Sequence, residues 1–233
     1  MNLILKKKNH ISRGIIGLEA AIVLIAFVIV AAALAFVVLN MGFATSQKAK
    51  TSITSALGEA GSSLSISGKV IGSAPAGGGF MNAVMIPLKL TSGGDSVDLS
   101  DTRATVSYLG ETIEYDNIYT AGSCTTLGQV YPNASLAWDD AVIAGCIDAN
   151  PIDAGPTETR AIIYWAVSNQ NPLPNSILEL GEHAVLSIGW SQAPDERPTD
   201  LDKIKIELAV SGGATLTIER TIPNISSTIV DLG

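Results

Sequence analysis

A short basic segment followed at once by a long apolar run restricts this chain more than any other feature. Four basic residues precede the run Ile15–Phe43, which contains a single charged side chain, Glu19. A secretory signal carries its small-residue cleavage site after the apolar stretch, whereas the cleavable pair Arg13-Gly14 precedes it here. We therefore expect a cleavable basic leader over residues 1–14, with the apolar run kept at the start of the mature chain.

Glu19 is an unusual residue for an apolar run. A carboxylate in a lipid environment is costly and calls for a charged partner. Cleavage after Gly14 would create an α-amino group on Ile15, and we expect this group to pair with Glu19 of a neighbouring copy. A contact between Ile15 and Glu19 within one helix, where residues four apart meet, is the alternative. The intermolecular pairing is favoured because it explains both the charge and the cut.

The apolar run predicts a helix over residues 15–60. Residues 15–43 are apolar all round, so this part of the helix must be buried on every side. Residues 45–60 alternate polar and apolar positions at helical spacing, which is typical of burial on one face. About 20 apolar residues cross a bilayer, whereas this helix would be on the order of 60 Å long. The excess length favours packing against protein, in a bundle of helices from many copies.

The remainder of the chain predicts an α+β fold: a long N-terminal hydrophobic helix followed by an antiparallel immunoglobulin-like β-sandwich. Glycine and proline over residues 61–80 predict a hinge or linker, which leaves residues 81–233 as an outer β-sandwich domain. A β-barrel is the alternative architecture. About seven segments rich in β-branched and aromatic residues read as strands. These are Met81–Leu90, Arg103–Leu109, Thr112–Tyr119, Arg160–Val167, Ala184–Trp190, Lys203–Val210 and Ala214–Arg220.

Net charge and missing motifs exclude several functional classes. The formal net charge is −8, and removal of the four leader charges would make it −12, whereas nucleic-acid binding needs a basic surface. His183 is the only histidine outside the leader, and the sequence has neither a Gly-x-Ser-x-Gly elbow nor a phosphate-binding loop. We therefore expect a structural protein with no enzymatic activity, no cofactor and no nucleic-acid partner.

Cys124 and Cys146 are the only cysteines of the chain. In an exported domain such a pair most simply forms one disulfide. The bond would close a loop of about 20 residues, worth roughly 3 kcal/mol in the chain-entropy model. Two unpaired buried thiols are the alternative.

Asp95, Asp98 and Asp101 recur at three-residue spacing beside two glycines. Carboxylate oxygens suit a hard cation, but the spacing and closing glutamate of an EF-hand are missing. A solvated turn is the preferred interpretation, so no metal site is predicted.

Three stretches carry a resemblance to a known family. The first runs from Arg13-Gly14 through the apolar helix to Lys50, the second spans residues 86–100, and the third is Gly212–Pro223. Together they resemble archaeal flagellins (archaellins), relatives of the type IV pilins, over nearly the whole chain. The resemblance implies a structural subunit that polymerises through its N-terminal helix into the rotating filament of the archaeal flagellum (archaellum).

The resemblance also implies partners and a location. The partners are further copies of the chain, a leader peptidase that cuts between Gly14 and Ile15, a cytoplasmic assembly ATPase and a membrane platform that turns the filament. The precursor would lie in the cell membrane, with its basic leader on the cytoplasmic side. The mature chain would lie in the extracellular filament.

Two N-glycosylation sequons occur, at Asn133 and Asn224. Archaellins are often N-glycosylated on the outer domain, so the resemblance favours a glycan on Asn133, which follows a proline in a predicted surface loop. Asn224 is the second predicted acceptor.

Two other functions remain open at this point. An adhesive type IV-like pilus subunit would share the cut and the helix but need no rotation. A single-span surface binding protein would instead keep residues 15–43 in lipid.

Overall fold

The computed structural model describes residues 13–61, 64–75, 78–92, 94–119, 129–153, 155–169, 175–193 and 195–233. The chain divides into two compact units between Thr54 and Ser55.

The first helix, α1 (Arg13–Gly61), has 49 residues and is about 70 Å long at roughly 1.5 Å per residue. It contains no proline, and its commonest residue is alanine, the strongest helix former. Within it, Gly17–Thr54 contains an 18-residue window with a mean hydropathy of 3.4 and is the one described segment long and apolar enough to cross a membrane. The predicted N-terminal hydrophobic helix is confirmed.

The described residues after α1 contain a second helix, α2 (Ala134–Ile143), and twelve strands. The strands are β1 (Leu64–Ile66), β2 (Ile71–Ser73), β3 (Ala83–Leu90), β4 (Val97–Asp98), β5 (Ala104–Leu109), β6 (Glu114–Tyr115), β7 (Arg160–Val167), β8 (Ile177–Leu178), β9 (His183–Gly189), β10 (Lys203–Val210), β11 (Leu216–Thr221) and β12 (Ile229–Asp231).

These strands form three antiparallel sheets. A six-stranded sheet has the order β12-β2-β3-β9-β7, with β1 also paired to β3, and a four-stranded sheet has the order β11-β10-β5-β6. The short strands β4 and β8 pair with each other. Throughout these ladders the pairing of named strands is antiparallel.

The two larger sheets pack face to face around one core. Alternate residues of β10, from Ile204 to Leu208, point inward, and alternate residues of β3 between Val84 and Leu88 meet them in the same buried cluster. Strict alternation in β10 produces one buried face and one solvated face, as its sequence predicts. The predicted antiparallel β-sandwich is confirmed.

Helix α2 adds a third layer that the sequence analysis did not predict. Its buried residues Ala137, Trp138 and Ala141 pack on the outward face of β7 and β9. The indole Nε1 of Trp138 donates to Ser187 Oγ at 2.9 Å in a fully buried hydrogen bond. Because α2 covers this face, the middle of β7 is buried on both sides.

The predicted hinge over residues 61–80 requires correction, because this segment contributes β1 and β2 to the six-stranded sheet. Both strands pair with successive parts of β3, where Leu64 faces Leu90 and Ile71 faces Met85. Three-residue strands are too short to show the alternation of polar and apolar residues that predicts a strand. The glycine and proline residues of this segment therefore led to the prediction of a linker.

The predicted strand Thr112–Tyr119 is also wrong for most of its length, since only Glu114 and Tyr115 pair as β6. The side chain of Asn117 explains the interruption. Its Oδ1 accepts from the backbone N–H of Val106 at 3.3 Å and of Tyr119 at 3.0 Å. A side-chain amide therefore takes bonds that a continued ladder would have made.

Candidate functional site

The candidate functional site is the apolar surface of α1. Its large apolar side chains from Leu18 to Ile53 are exposed, and Phe27 reaches 76% exposure. None of the window Gly17–Thr54 is buried by the described chain. Contiguous apolar patches of this size on a protein mark a membrane or protein interaction surface.

The few polar groups of α1 are arranged in a way that permits its burial. No charged residue lies between Glu19 and Lys48. Thr45, Thr51 and Thr54 each donate a hydrogen bond to the carbonyl oxygen four residues earlier, at 2.8 to 2.9 Å. Hydroxyl groups satisfied by their own helix can enter an apolar environment without a partner from outside.

The predicted processing site lies at the start of this helix. The backbone is helical from Arg13, so Gly14 and Ile15 fall in the first turn; their side chains, like the leader residues 1–12, lie outside the described part. Glu19 is exposed and lies beside Val23 and Phe27 on one helix face. Its pairing with a new N-terminus remains a prediction.

The two sequon asparagines differ in how their side chains are used. Asn133 is exposed and caps α2, because its Oδ1 accepts from Leu136 N at 2.9 Å. Its amide nitrogen has no hydrogen-bond partner among the described residues. Asn224 is also exposed, but its Nδ2 donates to Asp200 Oδ2 at 3.2 Å. Glycosylation at either residue stays a prediction.

Cys146 follows α2, is 7% exposed and is disulfide-bonded. Its backbone N–H donates to the carbonyl oxygen of Ala141 at 2.9 Å, which ties it to the end of the helix. Cys124 lies outside the described residues, so its predicted pairing with Cys146 stays a prediction.

The three aspartates considered for a metal site are in different surroundings. Asp95 is exposed, whereas Asp98 accepts from Ser100 N at 2.9 Å and pairs with Arg103 at 3.5 Å. Burial raises the pKa of Asp98, but these contacts and Ser176 outweigh burial and leave the pKa below its usual value. Asp101 is half-buried. In the described parts of the chain, no three acidic, histidine or cysteine side chains are grouped to hold a metal ion.

His183 is half-buried at the start of β9, and its Nδ1 lies 3.0 Å from Ser67 Oγ. The contact joins the ends of β9 and β1. This arrangement is a structural link between strands.

Comparison with known proteins places this chain in a family. A family model described as archaeal-type flagellin matches residues 14–220. A protein of Aeropyrum pernix named "Probable flagellin 1" is 37% identical over 214 residues, which cover 91% of this chain and 92% of that protein. A protein of Archaeoglobus fulgidus named "Probable flagellin 2" is 31% identical over 228 residues, which cover 94% and 93%.

Two solved structures share the fold. The archaeal flagellum of Methanospirillum hungatei matches with a TM-score of 0.57 and 22% identity, over 92% of this chain and 98% of that one. The crystal structure of an archaeal flagellin from Methanocaldococcus jannaschii matches with a TM-score of 0.56 and 17% identity, over 73% and 96%. With a family match over most of its length and relatives above 30% identity along nearly all of it, the chain belongs to the archaeal-type flagellin family.

Proposed function

We propose that this chain is a structural subunit of the archaeal flagellum and polymerises through α1 into the extracellular swimming filament. The observation that carries the proposal is the fully exposed apolar segment Gly17–Thr54 in a chain of the flagellin family. A helix that is apolar all round is stable only when buried on every side. In a filament, identical helices of neighbouring subunits provide that burial. The role is mechanical and requires no catalytic centre.

Assembly would begin from a precursor held in the membrane by α1, with the basic leader on the cytoplasmic side. A leader peptidase would cut between Gly14 and Ile15, and the family match begins at Gly14. The helix then moves from lipid into a helical bundle. Both environments are apolar, so close packing must favour the bundle, and the small side chains of Ala31–Ala33 and Ala35 permit close approach of helices.

Glu19 supplies the electrostatic part of the driving force. An unpaired carboxylate in an apolar bundle is costly, and pairing with the α-amino group of Ile15 on a neighbouring copy offsets part of that cost. Because this amino group exists only after cleavage, the pairing also makes assembly depend on processing. An assembly ATPase and a membrane platform complete the proposed set of partners.

The experiment is a strain in which this chain is the only flagellin, examined for filaments by electron microscopy and for swimming. The unaltered chain should give filaments and motility. Gly14→Val should leave the precursor uncut and abolish filaments. Glu19→Gln, which keeps the shape but removes the charge, should reduce filament yield at least tenfold, whereas Glu19→Asp should retain part of it.

Each alternative has its own outcome. Filaments without swimming would identify an adhesive pilus subunit. A chain recovered only from detergent extracts of membranes would identify an anchored surface protein. A normal filament yield from Glu19→Gln would reject the charge pairing while leaving the filament itself in place.

A further inference from the structure

Two large apolar side chains stand out on the described surface of residues 64–233. Ile143, the last residue of α2, is 83% exposed, and Leu201, just before β10, is 76% exposed. They are the most exposed large apolar side chains of that part, followed by Ile229 at 69%. Single exposed apolar residues are ordinary on protein surfaces. A binding role for either residue must therefore be argued from its backbone conformation and from the charged residues around it.

Leu201 is held in a conformation that a leucine rarely adopts. Its φ is +69°, and among the described residues it is the one non-glycine residue with positive φ. The turn is fixed from both sides, since Leu201 N donates to Ile222 O at 2.9 Å and Asp202 Oδ2 accepts from both N and Oγ1 of Thr199. Strain that the surrounding structure over-determines is a reason to suspect function. Here the strained turn presents Leu201 to solvent.

Leu201 lines a groove of about 720 Å³ on the outward face of the four-stranded sheet, together with Leu109 and the basic residues Lys203, Lys205 and Arg220. Lys205 pairs with Glu207 at 2.8 Å. Lys203 is exposed and makes no ion pair with any described residue. An apolar anchor and an unpaired cation therefore stand two residues apart.

The groove also contains two carboxylates, Glu111 and Glu219. Because Glu207 neutralises Lys205, Lys203 and Arg220 remain against these two carboxylates, so the groove is close to neutral in a chain whose formal net charge is −8. Lys203 is the lysine of the groove without an ion pair among the described residues, and it lies beside the exposed Leu201. A complementary partner therefore carries an apolar residue beside a carboxylate.

The outward face of α2 has this complementary chemistry. Asp139 is exposed and lies four residues before Ile143, so both project from one face of the helix. Asp139 Oδ1 accepts from Asn150 Nδ2 at 2.8 Å, which orients the carboxylate. Residues 104–159 contain eight acidic residues and no lysine or arginine, so the surroundings of α2 are acidic.

The two surfaces lie on opposite faces of the sandwich. Helix α2 covers the outward face of the six-stranded sheet, whereas the groove lies on the outward face of the four-stranded sheet. Complementary patches on different faces of one molecule make heterologous contacts, and these generate open helical polymers when the rotation does not close. This geometry suits a filament of identical subunits.

We propose that α2 of one subunit docks into the Leu201 groove of a neighbouring subunit, with Ile143 contacting Leu201 and Asp139 pairing with Lys203. The inference rests on the proposed filament function and adds an interface to the one made by α1. Asn133 lies about 9 Å along the helix axis from Asp139 and about 15 Å from Ile143.

The first test is a charge exchange in sheared filaments. Asp139→Lys and Lys203→Asp should each lower the temperature at which filaments dissociate, measured by light scattering and electron microscopy, and the double variant should recover most of the loss. Lys89→Asp and Asp95→Lys reverse exposed charges outside both surfaces and serve as matched controls. Single variants that behave like the controls, or a double variant no better than the sum of the singles, would overturn the interface.

The second test separates docking from folding. Leu201→Gly removes the apolar anchor and also relieves the positive φ. We expect it to raise the urea midpoint of the detergent-solubilised subunit and to lower the dissociation temperature of the filament. A change of the same sign in both measurements would reject the interface. Absence of filaments from the unaltered chain would instead reject the proposed function, so the two failures are distinguishable.

Discussion

At the residue scale, the buried polar side chains show how the core tolerates groups that water would otherwise satisfy. Glu182 is 1% exposed, yet its carboxylate accepts from Ser168 Oγ, Asn169 N and Glu179 N at 2.8 to 3.1 Å. A buried carboxylate is tolerated when its oxygens are satisfied in this way. The sequence gives no indication of this arrangement, because the donors come from two separate segments of the chain.

Ser187 is a buried, uncharged side chain that tests whether a hydrogen-bond partner is needed to stabilise a buried polar group. Its Oγ accepts from Trp138 Nε1 at 2.9 Å, and both side chains are fully buried. Ser187→Ala would leave the indole N–H without a partner, and we expect a loss of about 1–3 kcal/mol in the free energy of unfolding. Urea unfolding of the detergent-solubilised subunit, followed by tryptophan fluorescence, measures this loss. The exposed Ser211→Ala is the control, and equal stability of the two variants would contradict the expectation.

Glu196 gives a pH dependence whose sign follows from its surroundings. Burial raises the pKa of Glu196, but hydrogen bonds from Thr159, Ser191 and Tyr115 outweigh burial and hold the pKa below its usual 4.5. The stabilisation is therefore present above pH 4.5 and is lost as the pH falls through the lower folded value.

We expect the stability difference between the unaltered chain and Glu196→Gln to shrink as the pH is lowered below 4.5. Urea unfolding of the two solubilised proteins at a series of pH values measures it. A difference that stays constant from pH 7 to acid would show that the ionised carboxylate is not the source of the stabilisation.

At the element scale, the sequence predicted strand bounds correctly where a strand is long enough to show a run of β-branched, aromatic or alternating polar and apolar residues. Arg160–Val167 and Lys203–Val210 match their predicted bounds. The two-residue strands β4 and β8 were missed because no periodicity can appear in two residues. Their pairing depends on tertiary contacts between distant segments.

Helix α2 was missed although the sequence carries its signal. Ala134, Ala137, Trp138 and Ala141 recur at helical spacing after Asn133, a favoured N-cap residue. The sequon and the preceding proline instead indicate a surface loop at the same asparagine. Both properties coexist, because the cap uses Oδ1 and a glycan would use Nδ2.

Asn133 allows the cap and the glycan to be tested separately. Asn133→Ala removes both, and we expect a loss of about 1 kcal/mol in the free energy of unfolding from the missing cap. Asn133→Asp keeps an oxygen acceptor for Leu136 N and should retain the stability while also removing the sequon.

Urea unfolding compares the stability of the two variants, and mass spectrometry of glycopeptides compares their modification. Equal destabilisation by both variants would assign the effect to the glycan and count against the cap. An unmodified Asn133 in the natural filament would remove the glycosylation proposal while leaving the cap prediction intact.

At the scale of the whole molecule, the chain combines an element that cannot be stable alone in water with a β domain that has its own core. The sequence predicts the long apolar helix α1 from its uncharged run of apolar residues. It also predicts the core of the sandwich, from strands in which polar and apolar residues alternate. The proposed docking surfaces around Leu201 and Ile143 could not be predicted from the sequence, because the exposure of these side chains and the positive φ of Leu201 arise only in the folded structure.

The central claim is that α1 becomes a filament core after removal of the leader. The most direct test shears filaments from cells without detergent and determines the N-terminus of the subunit by mass spectrometry. The account predicts an N-terminus at Ile15 in detergent-free filaments. A subunit that begins at Met1, or one that is recovered only from detergent-treated membranes, would contradict it.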